Sequence, residues 1–318
     1  MKALLTPLLT LVLALACQFA AAFPDKPVRV VVPWPPGGGS DTLSRLVSAE
    51  AQKILGQSIL IDNRAGASGV IGTDHVARSA PDGYTLLWAI NSHTTNHLLV
   101  KVAYDPLKDF ASVTQIAASS YLLLVNPDFP AKTWPEFLAF VKAQPGKLSY
   151  ASAGNGTLQH LGMEMLKREA GIDLVHVPYK GSGPAITDVM AGHVGITFEA
   201  ASGTLEHVRA GKLRAIAVAM PQRIATLPGV PTFSEAGLDG FVVAGFTGLL
   251  APADTPAEVI DKLNAAYTQA LGVPAVRERM AAMGLQPKPT TPAEFSAFLA
   301  EQIPLNAKIL QEAGVKVD

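Results

Sequence analysis

Runs of apolar residues along this chain end repeatedly in glycine-rich loops. Val28-Arg29-Val30-Val31-Val32 is a β-branched run that reads as a buried strand. It stops at Pro33-Trp34-Pro35-Pro36, and Gly37-Gly38-Gly39 then lead through Ser40 and Asp41 into Thr42-Leu43-Ser44-Arg45-Leu46-Val47, where apolar positions recur at helical spacing. The same order returns at Leu148-Ser149-Tyr150, followed by Ala151-Ser152-Ala153-Gly154-Asn155-Gly156-Thr157 and a helical stretch from Leu158 to Ala170. A third unit runs from Leu174-Val175-His176-Val177 through Pro178-Tyr179-Lys180-Gly181-Ser182-Gly183 into a helix starting near Pro184, where proline suits the first turn. Alternation of this kind predicts an α/β protein with mainly parallel sheets.

Three further helix starts carry the spacing of a capping box, in which a threonine caps the helix and a glutamate three residues later reaches back: Thr133-Glu136, Thr255-Glu258 and Thr291-Glu294. The last two begin amphipathic helices that close the chain after Leu249-Leu250-Ala251-Pro252, read as a strand leading out of the middle region. Another strand, Thr85-Leu86-Leu87-Trp88-Ala89-Ile90, ends in the polar cluster Asn91-Ser92-His93-Thr94-Thr95-Asn96. There is no low-complexity linker, so the domain division rests on arrangement. The chain is expected to leave a first lobe near Asn126-Pro127 and return near residues 246–248. That gives one lobe from 23–126 plus 248–318, a second from 127–247, and two crossings that form a hinge.

The first residues change the picture of where the protein works. Lys2 precedes a Leu/Val/Ala-rich run and then Ala20, Ala21 and Ala22, which reads as a secretory signal peptide over 1–22, cleaved after Ala22. Cys17 is the only cysteine; its setting fits a lipidation signal poorly, and cleavage after Ala22 removes it, leaving no disulfide or thiolate chemistry. With Lys2 gone, 24 Lys+Arg stand against 26 Asp+Glu, a formal charge of −2 without a basic block, which argues against nucleic acid as a partner. No heptad pattern demands an oligomer, and a monomer is expected.

A glycine-rich turn between strand and helix brings bare backbone N–H groups and the positive end of a helix dipole to one place, which suits an anion. The loop at 37–41 has no lysine after its glycines and lacks dinucleotide spacing, so a carboxylate fits better than a nucleotide. A plain turn capped by Ser40 or Asp41 explains any one such loop; three in one chain favour a binding role for at least one. His93 with His97 and His160 with Glu164 have helical metal-ligand spacing, but neither pair has a third ligand nearby, and no metal or other cofactor is expected. His176, inside a strand, reads as a core histidine. No G-x-S-x-G elbow, H-E-x-x-H or S-x-x-K pair stands out, so an enzyme is not expected. A hydrolase using Ser40 or Ser182 with His160 and Asp41 is the third-ranked alternative.

Six segments in order then show a likeness: 33–41 (PWPPGGGSD), 62–72 (DNRAGASGVIG), 80–87 (APDGYTLL), 104–110 (YDPLKDF), 150–157 (YASAGNGT) and 176–185 (HVPYKGSGPA). The chain resembles the receptors of tripartite tricarboxylate transporters, the Bug family, over nearly its whole length after residue 22. The resemblance implies a periplasmic solute-binding protein of the periplasmic binding protein-like type II fold. Its two α/β lobes would be joined by crossing strands and close around a small carboxylate: a di- or tricarboxylate, an aromatic carboxylate or an acidic amino acid. The implied partners are membrane permease subunits; presentation of the liganded protein to a membrane histidine kinase is the alternative. Carried over by motif, the first-lobe site is Pro35, Gly38, Gly39 and Asp41 with Ser92, His93 and Asn96, and the second-lobe site is Ala153, Gly154, Thr157, His160 and Ser182. Two departures read as specificity positions. Glu199-Ala200 stand where the family often has Asp-Asn, and Ala244-Gly245-Phe246-Thr247 stand where it often has an aromatic-rich segment. Trp34 is placed to stack on or shield a ligand.

Overall fold

The computed structural model describes residues 23–312, so the signal-peptide reading and Cys17 lie outside the described residues. Strand β1 (Val28–Val32) is followed by α1 (Gly39–Leu55), β2 (Ile59–Asn63), α2 (Val70–Ala77), β3 (Thr85–Ile90) and the short α3 (Asn96–Leu99). Strand β4 (Phe110–Val125) leads to α4 (Trp134–Lys142), β5 (Ser149–Ser152), α5 (Leu158–Ala170), β6 (Val175–Pro178), α6 (Ser182–Met190), β7 (Ile196–Ala200), α7 (Ala201–Arg209) and β8 (Arg214–Val218). Then β9 (Ala244–Pro252) leads to α8 (Ala257–Gly272), α9 (Pro274–Ala282), β10 (Leu285–Pro287) and α10 (Pro292–Glu312).

Strands β2, β1 and β3 pair in parallel, as do β6, β5 and β7. Between these two groups the pairing is antiparallel: β9 joins β3 to β4, and β4 joins β9 to β7. The expectation of mainly parallel sheets therefore holds only in the outer strands. A chain that leaves one half and returns to it must cross in opposite directions, and β4 and β9 are those crossings. Along β4 the neighbours change: residues 110–120 lie against β9, and from Tyr121 onward the strand lies between β7 and β8.

Burial follows from layers on both faces. Val28, Val30 and Val32 of β1 pack with Leu43, Val47 and Ala51 of α1 and with Leu263 and Tyr267 of α8. In the other half, strand alternation sends Tyr121, Leu123 and Val125 into one core with Phe137, Tyr150 and Phe198, and sends Leu122 and Leu124 into another with Ile186, Val189 and Leu205. Every residue from Tyr121 to Val125 is buried, because helices cover both faces there. Each such aliphatic side chain is worth about 1.5–3 kcal/mol relative to exposure. Helix α10 reaches both halves: Phe295 and Leu299 pack with Leu87, Phe246 and Leu250, while Ile309 and Leu310 pack on Leu161 of α5. A side chain at Gly248 would meet the Phe295 ring at 2.1 Å, so this crossing tolerates only glycine without repacking.

One of the three capping boxes forms in full and a second in part, its glutamate reaching the residue before the cap. Thr291 and Glu294 exchange backbone N–H bonds of 2.8 and 3.2 Å, and Glu136 N–H reaches Thr133 Oγ1 while Glu136 Oε2 accepts from Lys132 N–H. The Thr255-Glu258 expectation fails. Thr255 Oγ1 donates instead to Pro252 O at 2.7 Å, and the helix is entered through Pro256.

Candidate functional site

A cleft of about 660 Å³ opens between the two halves. One wall comes from the ends of β1 and β3 and from the turn at Ala67–Gly69: Trp34, Ser68, Ile90, Asn91, Ser92, Thr95, Asn96 and Leu99. The other comes from the loops after β5 and β6, with Ala153, Asn155 to Gln159, Lys180, Gly181 and Ser182; Tyr121, Leu161 and Asn306 complete it. Among the described residues that line this cleft, Lys180 is the single charged side chain.

The second-half wall is made by two helix starts. Helix α5 has no side-chain cap bond and no acid in its first turn, because Thr157 Oγ1 donates to Gly154 O at 2.7 Å and so braces the loop instead of capping the helix. Helix α6 likewise starts at Gly181 without a side-chain cap or a first-turn acid. The thermodynamic contrast is with α4 and α10, whose first turns carry a glutamate bonded to the capping threonine. An uncapped first turn leaves N–H donors and the positive end of the dipole for whatever enters the cleft, each dipole worth about 0.3–1 kcal/mol to an anion.

Side chains behind the wall hold these loops in shape. Gly156 N–H donates to His160 Nδ1 at 3.1 Å, and Gly154 N–H to Ser152 Oγ at 3.1 Å. Ser152 Oγ shares a 2.6 Å bond with His176 Nε2, and the His176 ring stacks on His160. Burial lowers both imidazoles, His176 to about 4, so both are neutral at pH 7. Gly156 has φ +71°, and a Cβ there would meet Leu99 Cδ1 at 2.3 Å, so the loop touches the opposite wall at a point where only glycine fits.

Of the residues singled out from sequence, Ser92, Asn96, Ala153, Thr157 and Ser182 line the cleft. Gly154 and His160 lie behind them, in the loop and its support. Pro35, Gly38 and Gly39 are exposed and outside the cleft wall; of the first glycine loop's approach only Trp34 reaches it. Asp41 closes that loop on itself. Its carboxylate accepts from Gly37 N–H (2.9 Å), Arg45 Nε (3.0 Å) and Asn63 Nδ2 (3.0 Å), and the Arg45 bond is the main reason its pKa is lowered. His93 turns into the core, with Nε2 at 2.9 Å from Pro106 O and its ring against Tyr104 and Phe110. Burial lowers it to about 4.

Glu199 sits one layer behind the wall, 2% exposed, and accepts from Gln159 Nε2 at 3.0 Å and Ser182 Oγ at 3.2 Å. Sequence reasoning missed Gln159, Ser68, Tyr121 and Asn306. Ser68 stands at φ +53° and its carbonyl accepts from Asn96 Nδ2 at 2.9 Å, a contact carried by backbone shape that no spacing reveals. Among the described residues no group of three His, Cys, Asp or Glu is assembled that holds a metal. Neither serine of the hydrolase alternative has a histidine partner: Ser182 bonds Gln159 and Glu199, and Ser40 Oγ has no partner.

The tripartite tricarboxylate transporter family receptor model, TctC, matches residues 43–315. BugT of Bordetella pertussis is 36% identical over 301 residues, covering 94% of this chain and 92% of that protein. The structure of the periplasmic binding protein BugD superposes with a TM-score of 0.78 at 33% identity, covering 93% of this chain and 100% of that one. MatC from Rhodopseudomonas palustris with bound malate superposes with a TM-score of 0.76 at 36% identity, covering 91% of this chain and 100% of that one.

Proposed function

The chain belongs to the tripartite tricarboxylate transporter receptor family, and from that premise we propose that it captures a small carboxylate in the periplasm and hands it to the permease subunits of such a transporter, with no chemistry done on the ligand. Its fold is the two-lobed type II fold of periplasmic binding proteins, as expected from the sequence. Export by a cleaved leader over 1–22 belongs to the same reading. So does a division into lobes of 23–126 plus 248–318 and 127–247, supported by the change of neighbours along β4.

The observation that carries the proposal is the pair of uncapped helix starts, α5 and α6, opening into one cleft beside Lys180. Such a wall recognises a carboxylate through N–H donors and leaves the rest of the ligand to the opposite wall, where Ser92, Asn96 and Trp34 are placed to choose it. Malate bound to MatC supports a dicarboxylate as the first candidate. Closing the lobes completes both sets of contacts at once, so the ligand stabilises the closed form by the contacts it makes only there.

The test is thermal unfolding of the chain from residue 23 with mono-, di- and tricarboxylates, aromatic acids and acidic amino acids. A carboxylate receptor shows stabilisation that grows with ligand concentration as RT ln(1 + [L]/Kd). A folded protein with a flat response across the panel, and turnover of an ester or amide instead, contradicts the proposal.

A further inference from the structure

We propose that Glu199 makes ligand capture proton-coupled: as the carboxylate enters the cleft, one proton is taken up from solvent at Glu199, and it is returned when the ligand leaves. The inference rests on the cleft's being a carboxylate site and goes on to say how that site meets the charge.

The geometry sets a polarity problem. Gln159 Nε2 donates both to Glu199 Oε2 and to Ser182 Oγ, each at 3.0 Å, and Ser182 Oγ donates to the same Glu199 oxygen at 3.2 Å. Gln159 and Ser182 are the two members of this triad that line the cleft. With Glu199 ionised, the serine proton and the amide protons are drawn inward, and the pair turns oxygen acceptors toward an arriving anion. A protonated Glu199 reverses this. Its O–H donates to Ser182 Oγ, and the serine O–H is released to rotate toward the ligand carboxylate.

The surroundings favour the proton. Glu199 Oε1 is buried with no partner, and no lysine or arginine contributes to its titration. Burial, opposed by the bonds from Gln159 and Ser182, raises Glu199 to about 7. Of the titratable groups on the packed elements, Tyr121 on β4 faces Glu199 and is itself pushed up mainly by burial and then by that charge. On α5 and β6, His160 and His176 respond to Glu164 and Lys167, and His176 also to His160, but neither to Glu199. On α6, Asp188 is engaged by Tyr179 and His193; on α7, Glu206 pairs with Arg209; Lys180 is exposed at the cleft.

A ligand carboxylate raises Glu199 further, so affinity is full below about pH 7 and falls above it, by roughly tenfold per pH unit until the bound-state value is reached. Glu199 acts through Ser182 and Gln159 and is a positioning residue. Calorimetry of the chain from residue 23 with L-malate, with adipate and L-glutamate run beside it, at pH 6, 7.5 and 8.5 in buffers of different ionisation enthalpy, tests this. The expected result is weakening as pH rises, with proton uptake of roughly three-quarters of a proton at pH 7.5 and approaching one at pH 8.5, and Glu199→Gln binding at a pH-independent affinity with no proton uptake. Binding that is flat with pH, or that strengthens as pH rises because an ionised Glu199 receives a ligand N–H or O–H, overturns the coupling while leaving a carboxylate receptor in place. Absence of binding by all three probes at every pH overturns the carboxylate reading and the coupling with it. If Glu199→Gln fails to fold, the wild-type proton count and pH profile decide alone.

Discussion

The imidazoles of His160 and His176 lie face to face, ring centroids 4.0 Å apart and planes 7° from parallel, and tie the start of α5 to β6. His176 is lowered from 6.5 to about 4 by burial first and then by His160. A folded value below the unfolded one means that the stability from this neutral stack is complete above about pH 6.5 and is lost as pH falls toward 4. His176→Gln is expected to show a smaller loss of melting temperature than wild type between pH 7.5 and 4.5. Equal losses in both proteins would show that the stack is not responsible.

Gly156 is held at φ +71° with Leu99 Cδ1 2.3 Å from where a Cβ would stand. Gly156→Ala is expected to cost about 1–2 kcal/mol for the left-handed backbone alone, and more for the overlap. Adding Leu99→Ala should recover the overlap part and not the backbone part. Denaturant unfolding of both variants measures this; a second substitution with no recovery contradicts the contact.

Asp41→Ala leaves Gly37 N–H, the Asn63 amide and Arg45 without their shared acceptor. A stability loss of about 1–3 kcal/mol is expected from the unsatisfied groups. Denaturant unfolding beside calorimetry separates a structural clamp from a ligand contact: unchanged stability with lost affinity would make Asp41 a binding group.

Lys180→Ala is expected to weaken carboxylate binding modestly, since an exposed charge contributes about 0.2–1 kcal/mol, at most roughly fivefold in Kd. The difference from wild type should shrink at high salt. A salt-independent loss would point to a direct, dry contact.

The strand-loop-helix units at 28–47, 148–170 and 174–190 were legible because their signals are local: β-branched runs, glycines and helical spacing. Helix α5 has the bounds read from sequence. Helix α9 and strand β10 were not read, because α9 buries only Val276 and Met280 and shows little amphipathic spacing. The extent of β4 was hidden as well. A strand buried on both faces loses its alternation, and nothing local marks where its neighbours change at Tyr121. The site divided the same way. The polar loops at 91–96 and 153–157 announced themselves, but Asp41 and His93 offered the chemistry of ligand groups and are used inside the fold. Which way a side chain turns from its loop is decided by packing across distant segments.

Whether the first turns of α5 and α6 hold the ligand carboxylate is read by backbone amide NMR of the chain from residue 23, titrated with L-malate and adipate. Saturable shifts are expected at Gly156, Thr157, Leu158, Gln159, Gly181 and Ser182, together with Ser92 and Asn96 of the facing wall. Saturable binding whose shifts leave these amides unmoved and gather elsewhere would contradict that placement of the carboxylate.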